Sequence, residues 1–182
     1  MKTGSKIKLD FKKIERIAVE RHELHEGQVS HRPLRSKKTG DSVPPWWYEF
    51  VGLVGEFAFA EDFKVEVDES LRINGDGGKD FLQFPKVGKI DAKAAQIPRN
   101  LLVEKGHVRA DIFVLYGFDM DSQTAWPVGW AYENEVLEKE PKQWPYKVIN
   151  HVIPQFELHN INKLKKMLDV DYEYDVFEEL GF

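Results

Sequence analysis

The chain contains no cysteine in 182 residues. That excludes disulfides, zinc–thiolate sites and thiol nucleophiles, and it fits a reducing compartment. Apolar runs of the ~20 residues needed to span a bilayer are also missing, and Met1-Lys2-Thr3-Gly4-Ser5-Lys6 lacks the apolar segment of a secretion signal. No internal repeat and no low-complexity linker interrupts the sequence. The expectation is a soluble cytoplasmic protein with no membrane partner. What is present suits a folded globular chain: 42% of residues are hydrophobic and 13% aromatic, enough for one domain with its own core. We read residues 1–182 as that single domain. Residues 1–43 form an N-terminal helix and basic loop, 44–168 the core and 169–182 an acidic tail.

An overall positive charge, the usual mark of a nucleic-acid partner, is absent: the formal net charge is −5. Its distribution is uneven. Residues 1–38 hold eleven Lys/Arg against five Asp/Glu, whereas residues 169–182 hold six Asp/Glu and no Lys/Arg. Phosphate binding depends on the local patch rather than the total, so one basic face stays compatible with the composition. The acidic tail suits an association role, such as homodimerisation or cover for the basic face, as well as a plain solvated end.

Taken in order, Ile7 to Glu26 predicts a helix with a partial apolar stripe (Leu9, Ile14, Ile17, Ala18, Leu24). His22 and His25 share a face of it, without zinc-protease spacing, and read as solvated histidines. Residues 27–43 form a loop in which Arg32, Arg35, Lys37 and Lys38 could meet a phosphate backbone. Pro44-Pro45 launches a second helix from Trp46 to Phe63, apolar nearly all round. Glu56 in its middle is flanked by Gly52, Phe59, Ala60 and Phe63 on the helical wheel, so it is expected to be buried. Such a carboxylate needs a metal or a paired Lys or Arg. Lys64 to Ile73 reads as a strand. The glycine-rich loop after it matches neither an EF-hand nor a phosphate-binding P-loop. Residues 96–109 suit a crossover, with a short helix from Pro98 to Glu104, into a parallel strand at Ala110–Phe118 that is buried on both faces. A strand at Thr124–Tyr132, a helical turn or two at Glu133–Glu138, an irregular stretch Gln143–Gln155 and a short helix Asn160–Leu168 complete the reading. This is an α/β fold with a central mixed sheet flanked by helices.

The stretch from Asn74 to Lys93 carries the chemistry. It reads as a glycine-rich loop and a hairpin, whose turn is either Val87-Gly88 or Pro85 to Gly88. In both registers Asp80, Asp91 and Lys93 leave one face, because side chains alternate along strands and facing residues lie about 5 Å apart at Cβ. Two carboxylates with an amine suit Mg²⁺ or Mn²⁺ and metal-assisted phosphodiester hydrolysis. They equally suit a cross-strand ion pair on a surface hairpin, and the residues of this stretch leave both open.

The order of elements narrows the choice. A helix carrying Glu56, a strand opening at Asp80 and a strand carrying Asp91-Ala92-Lys93 resemble the PD-(D/E)xK nuclease superfamily. Val51–Ala60, Gly75–Phe81, Gly88–Lys93, Ala110–Leu115 and Val128-Gly129-Trp130 look most like its small, mostly uncharacterised phage and bacterial members. The similarity spans roughly residues 45–165. It implies a restriction-endonuclease-like core and a Mg²⁺-dependent nuclease of nucleic acid, DNA before RNA, in a bacterial cytoplasm. Asp80 and Asp91 would bind the metal, the Ala92 carbonyl would complete the shell, Lys93 would orient or deprotonate water, and Glu56 would bind a second metal or its water. Candidate nucleic-acid contacts are Lys79, Lys86, Lys89 and Arg99, with Arg32, Arg35, Lys37 and Lys38. Gly78-Lys79 stands where the superfamily name places proline, and Ala94-Ala95 follow the lysine where relatives often carry a polar residue. A non-catalytic nucleic-acid- or protein-binding module on the same fold is the other reading.

Overall fold

The computed structural model describes residues 5–25, 43–67, 81, 84, 87–145 and 147–168. Its centre is a four-stranded mixed sheet in the order β1-β5-β4-β2, with β1 at Ile7–Lys8, β2 at Ile90–Ala95, β4 at Ile112–Asp119 and β5 at Thr124–Tyr132. The expected parallel crossover is present: β2 runs parallel to β4, from Ile90 beside Ile112 to Ala95 beside Gly117. β5 returns antiparallel, and β1 pairs antiparallel on its outer edge. Helices α1 (Phe11–His25) and α2 (Trp47–Phe63) cover one face.

Two sequence expectations change at the N-terminal end. Residues 7–8 are not helical but pair with β5, and α1 begins at Phe11. Asp10 explains the start, because its carboxylate accepts the Lys13 N–H at 3.0 Å, satisfying a donor that the first helical turn leaves open. Once α1 has formed, Phe11, Ile14, Ile17 and Ala18 turn inward. Residues 65–67 are not a strand; the chain leaves α2 through Lys64 in the left-handed region (φ 54°), and the rest of the expected strand lies outside the described residues.

Residues 100–104, expected as helix, are strand β3 (Asn100–Glu104) of a second sheet, order β3-β7-β6. β7 is Ile149–Pro154 and β6 is Lys142–Gln143, so the stretch 143–155 is largely regular rather than irregular. Pairing decides this. Leu101 opposes Ile153 and Val103 opposes His151, and burial of Leu101, Val103 and Ile153 against Phe113, Leu115 and Ala131 of the first sheet outweighs local preference. α3 (Glu133–Glu138) touches β5 and β7, one strand of each sheet, and after a 3₁₀ turn at Gln155–Glu157 comes α4 (Ile161–Met167), whose Ile161 and Leu164 join the helix-side core. β4 therefore sits between two cores, which its unbroken run of buried residues requires.

The tightest contact in the fold is between α2 and β2. A Cβ built on Gly55 would stand 2.7 Å from the Ala92 carbonyl oxygen and 3.1 Å from the Lys93 carbonyl carbon. Only glycine allows the helix to lie this close on the strand. Three residues earlier in the same helix, Gly52 meets nothing within 4 Å. The two glycines should thus respond oppositely to alanine. Gly55→Ala is expected to lose about 1–2 kcal/mol by overpacking against backbone, and Gly52→Ala to gain up to about 1 kcal/mol of helix propensity. Urea denaturation of both variants checks this; equal effects would mean that α2 does not seat on β2 at Gly55.

Candidate functional site

Strand β2 separates its side chains cleanly. Ile90, Ala92 and Ala94 pack into the helix-side core, while Asp91 and Lys93 leave on the other face, in register with Phe113 and Leu115 of β4. Asp91 is only 3% exposed. Removing a carboxylate from water is costly without a partner, and here Lys93 Nζ stands 2.7 Å from Asp91 Oδ2. The lysine stem lies along the strand while its ammonium reaches solvent, its side chain 40% exposed. The structure thus brings Asp91 and Lys93 together as side-chain alternation requires.

The outer edge of β2 is bonded at Ile90 to Phe81, whose N–H and carbonyl exchange hydrogen bonds with Ile90 at 3.2 and 3.1 Å. Phe81 therefore opposes Ile90, a register offset from both of those expected. The offset arises because Val87 N–H and Gly88 N–H both bond to the Phe84 carbonyl, at 3.1 and 3.0 Å, giving a turn wider than two residues. Gly88 (φ +85°) closes it under Asp111: an added Cβ would meet Asp111 Oδ2 at 2.3 Å, and the same oxygen accepts the Lys89 N–H at 2.7 Å. Asp80 itself lies outside the described residues, as do Lys79, Lys86, Arg32, Arg35, Lys37 and Lys38.

Glu56 follows Gly55 on α2 and is largely buried, as expected, its side chain 13% exposed. Its Oε1 accepts from Arg21 Nη1 of α1 at 3.3 Å. Because α2 covers the Ala92 face and Asp91 leaves by the other, Glu56 and the Asp91–Lys93 pair stand on opposite faces of β2. The Ala92 carbonyl oxygen lies toward α2 at Gly55. Arg21 was missed in the sequence. It could have been found, since it extends the stripe Ile14, Ile17, Ala18 by one more turn and so faces α2. The neighbouring His22 is not a solvated histidine: its Nδ1 lies 3.4 Å from Glu49 Oε1 of α2, with both side chains mostly buried. The side chain of His25 lies outside the described residues.

Lys89 and Arg99 are both exposed and flank β2 at its two ends. Lys89 is tied to Asp111 through its backbone, which accepts the Asp111 and Ile112 N–H groups at 2.9 and 3.1 Å. Arg99 follows Pro98 in a turn closed by its N–H on the Ile97 carbonyl at 2.9 Å.

A second buried polar cluster was not anticipated. The Tyr116 hydroxyl donates to Asp62 Oδ2 at 3.0 Å, and Lys165 Nζ pairs with Asp62 Oδ1, so α2, β4 and α4 meet at one carboxylate. Lys165 also lies over the Phe63 ring, 5.6 Å from its centroid. Each group here is satisfied within the fold, and the cluster reads as a structural clasp.

No group of three His, Asp or Glu side chains that could hold a metal occurs among the described residues. Among them, too, no helix is long and apolar enough to cross a membrane. No family model, curated protein or solved structure matches the chain.

Burial first, and the Asp62 charge and hydrogen bond after it, push the Tyr116 hydroxyl well above its ordinary pKa. A folded-state pKa raised above the unfolded one gives a contribution fully present below about pH 10, the unfolded phenol value, and lost as pH rises beyond it. Wild type should therefore lose stability above about pH 10 more steeply than Tyr116→Phe. Tyr116→Phe should cost about 1 kcal/mol at neutral pH for the lost hydrogen bond. Denaturation midpoints at pH 7 and across the alkaline range check both; parallel alkaline slopes would show that the phenol ionises at the same pH in the folded and unfolded chain.

Proposed function

We propose that the protein is a metal-dependent nuclease of the PD-(D/E)xK kind, hydrolysing phosphodiester bonds of nucleic acid, DNA before RNA. The observation that carries the reading is the buried Asp91 carboxylate with the Lys93 ammonium 2.7 Å away, on the strand next to the Gly55 contact of α2. A carboxylate this buried that has already drawn in a cation is a suitable hard-oxygen ligand for Mg²⁺ or Mn²⁺. One carboxylate is not a site, so we assign the second to Asp80. Its chain neighbour Phe81 is bonded to Ile90, the chain neighbour of Asp91, and is anchored by its ring on Phe59 at 4.5 Å. The Ala92 carbonyl is the third donor in this proposal. Glu56, held by Arg21, assists from α2.

A divalent ion bound there would supply charge neutralisation of the phosphate and a more acidic water. Within this reading Asp91 and Asp80 hold and orient the site. Lys93 donates to the attacking water or to a non-bridging phosphate oxygen. Water adds to phosphorus, the bond from phosphorus to the leaving sugar oxygen breaks, and that oxygen takes up a proton. While paired with Asp91 the lysine is an ammonium, which suits charge stabilisation and orientation; it must first give up its proton to act as the base. Lys89 and Arg99 at the two ends of β2 would bear on phosphates either side of the scissile one, with Lys79, Lys86 and the 32–38 loop as further contacts.

The other reading is a binding module without catalysis, in which Asp91–Lys93 and Glu56–Arg21 are ion pairs of the fold and no more. Their closeness favours it to that extent. Two substitutions separate the readings. Asp91→Asn should keep the fold, lower Mn²⁺ affinity and abolish cleavage of plasmid, linear, single-stranded and branched DNA. Lys93→Ala should keep metal binding while turnover falls by roughly 10²–10⁴-fold, the reach of a positioned acid–base group. Calorimetric Mn²⁺ titration beside the cleavage assay decides. Destabilisation of both variants, with a wild type that binds no divalent ion and cuts nothing, would leave the binding module in its place.

A further inference from the structure

Two of the most exposed large apolar side chains in the described residues sit on the two arms that leave one end of the second sheet. Ile97 is 71% and Phe156 75% exposed. Asn100 pairs with Pro154, and the Gln155 N–H donates to the Arg99 carbonyl at 2.9 Å, so the arms 97–99 and 155–157 leave β3 and β7 side by side. Neither arm is loose. Pro98 restricts the first, which the bond from Arg99 N–H to the Ile97 carbonyl closes into a tight turn; the second is a 3₁₀ turn, with Glu157 paired to Lys139. The exposed Arg99 follows Ile97 by two residues, its carbonyl bonded to the residue before Phe156, and it pairs with no carboxylate among the described residues.

Chain length sets an upper bound on how far Ile97 is from the proposed cleavage site. Four residues separate Ile97 from Lys93, a span of at most about 14 Å, which is about four stacked nucleotides at ~3.4 Å each. A flat aromatic, an aliphatic wedge and a guanidinium on rigid turns, the wedge within that reach of Lys93, match what an unpaired base and its phosphate require. Base faces stack on aromatics irrespective of sequence, aliphatic side chains hold open a base step, and arginine neutralises the phosphate. The glutamate beside Phe156 is already neutralised by Lys139, so no free carboxylate on that turn opposes a nucleic acid.

We propose that Ile97 and Phe156 form a stacking platform for an unpaired base, with Arg99 on the adjoining phosphate, so that the protein prefers single-stranded or frayed nucleic acid over blunt duplex. The inference rests on the nuclease reading for its substrate class and adds the strandedness. Fluorescence anisotropy with a labelled single-stranded oligonucleotide and the blunt duplex of the same length, without divalent metal, reads binding apart from cleavage. The wild type should bind the single strand more tightly than the duplex. Ile97→Ser/Phe156→Ser should lose roughly 10- to 100-fold in single-strand affinity, with an unchanged dependence on salt. Arg99→Gln should instead reduce the slope of log affinity against log salt by roughly one. Thermal melts of all variants, which alter exposed groups only, verify that the fold is kept.

A double variant that binds single strands as wild type does would overturn the platform while leaving the nuclease reading intact. A wild type that binds single strands through these residues yet cleaves nothing would keep the platform and remove the nuclease. If the double variant instead changes only the sedimentation of the protein, the apolar pair is a contact between two copies of the chain and the proposal falls.

Discussion

The absence of a side chain at Gly55 is the constraint on which the rest of the candidate site depends. With the Ala92 carbonyl oxygen 2.7 Å from where a Cβ would be, α2 is in backbone contact with β2. This approach buries Ile90 and Ala92 under the helix and thereby forces Asp91 and Lys93 onto the opposite face. It also fixes Glu56, the next residue of the helix, where Arg21 of α1 reaches it at 3.3 Å. One close contact thus sorts the polar groups of β2 and α2 into their places. A bulkier helix residue would hold α2 away from the strand and open a gap beneath Ala92.

The buried charges divide by what surrounds them. Asp62 is enclosed by Tyr116, Lys165 and the ring of Phe63, and its partners come from three elements that it joins. Replacing such a cluster removes a clasp. Asp91 differs in that its cation belongs to the same strand, two residues away, and is substantially exposed. That asymmetry, rather than the presence of an ion pair as such, is why we look for chemistry at Asp91 and not at Asp62.

The second sheet changes the setting of the pair. With only one sheet, the face bearing Asp91 would have been open along its length. The layer of β3, β7 and β6 packs Leu101, Val103 and Ile153 over Phe113 and Leu115, beside the positions of Asp91 and Lys93. Asp91 is buried on a face that also holds an apolar core, while the side chain of Lys93 is partly exposed. The same layer carries Ile97 and Phe156 at its end, on turns fixed by the β3–β7 pairing.

Much of the framework was legible because it is encoded locally. The seven buried positions in succession from Ile112 required a strand covered on both faces, the Pro-Pro start and apolar body of α2 required a buried helix, and Asn160, which accepts the Asn162 N–H at 2.8 Å, marked the start of α4. Alternation alone put Asp91 and Lys93 on one face. Pairings between distant segments were not legible. Asn100–Glu104 became a strand because of partners some fifty residues later, the hairpin register followed a turn centred on the Phe84 carbonyl, and Ile7–Lys8 left the helix to pair with β5. Thus periodicity and residue chemistry, which act over a few neighbours, determined from the sequence by itself which side chains could be buried and which could share a face. Which face each charge occupies, with Glu56 on the helix side and Asp91 on the other, was decided only by tertiary structure, because that depends on where the backbone of α2 comes to rest.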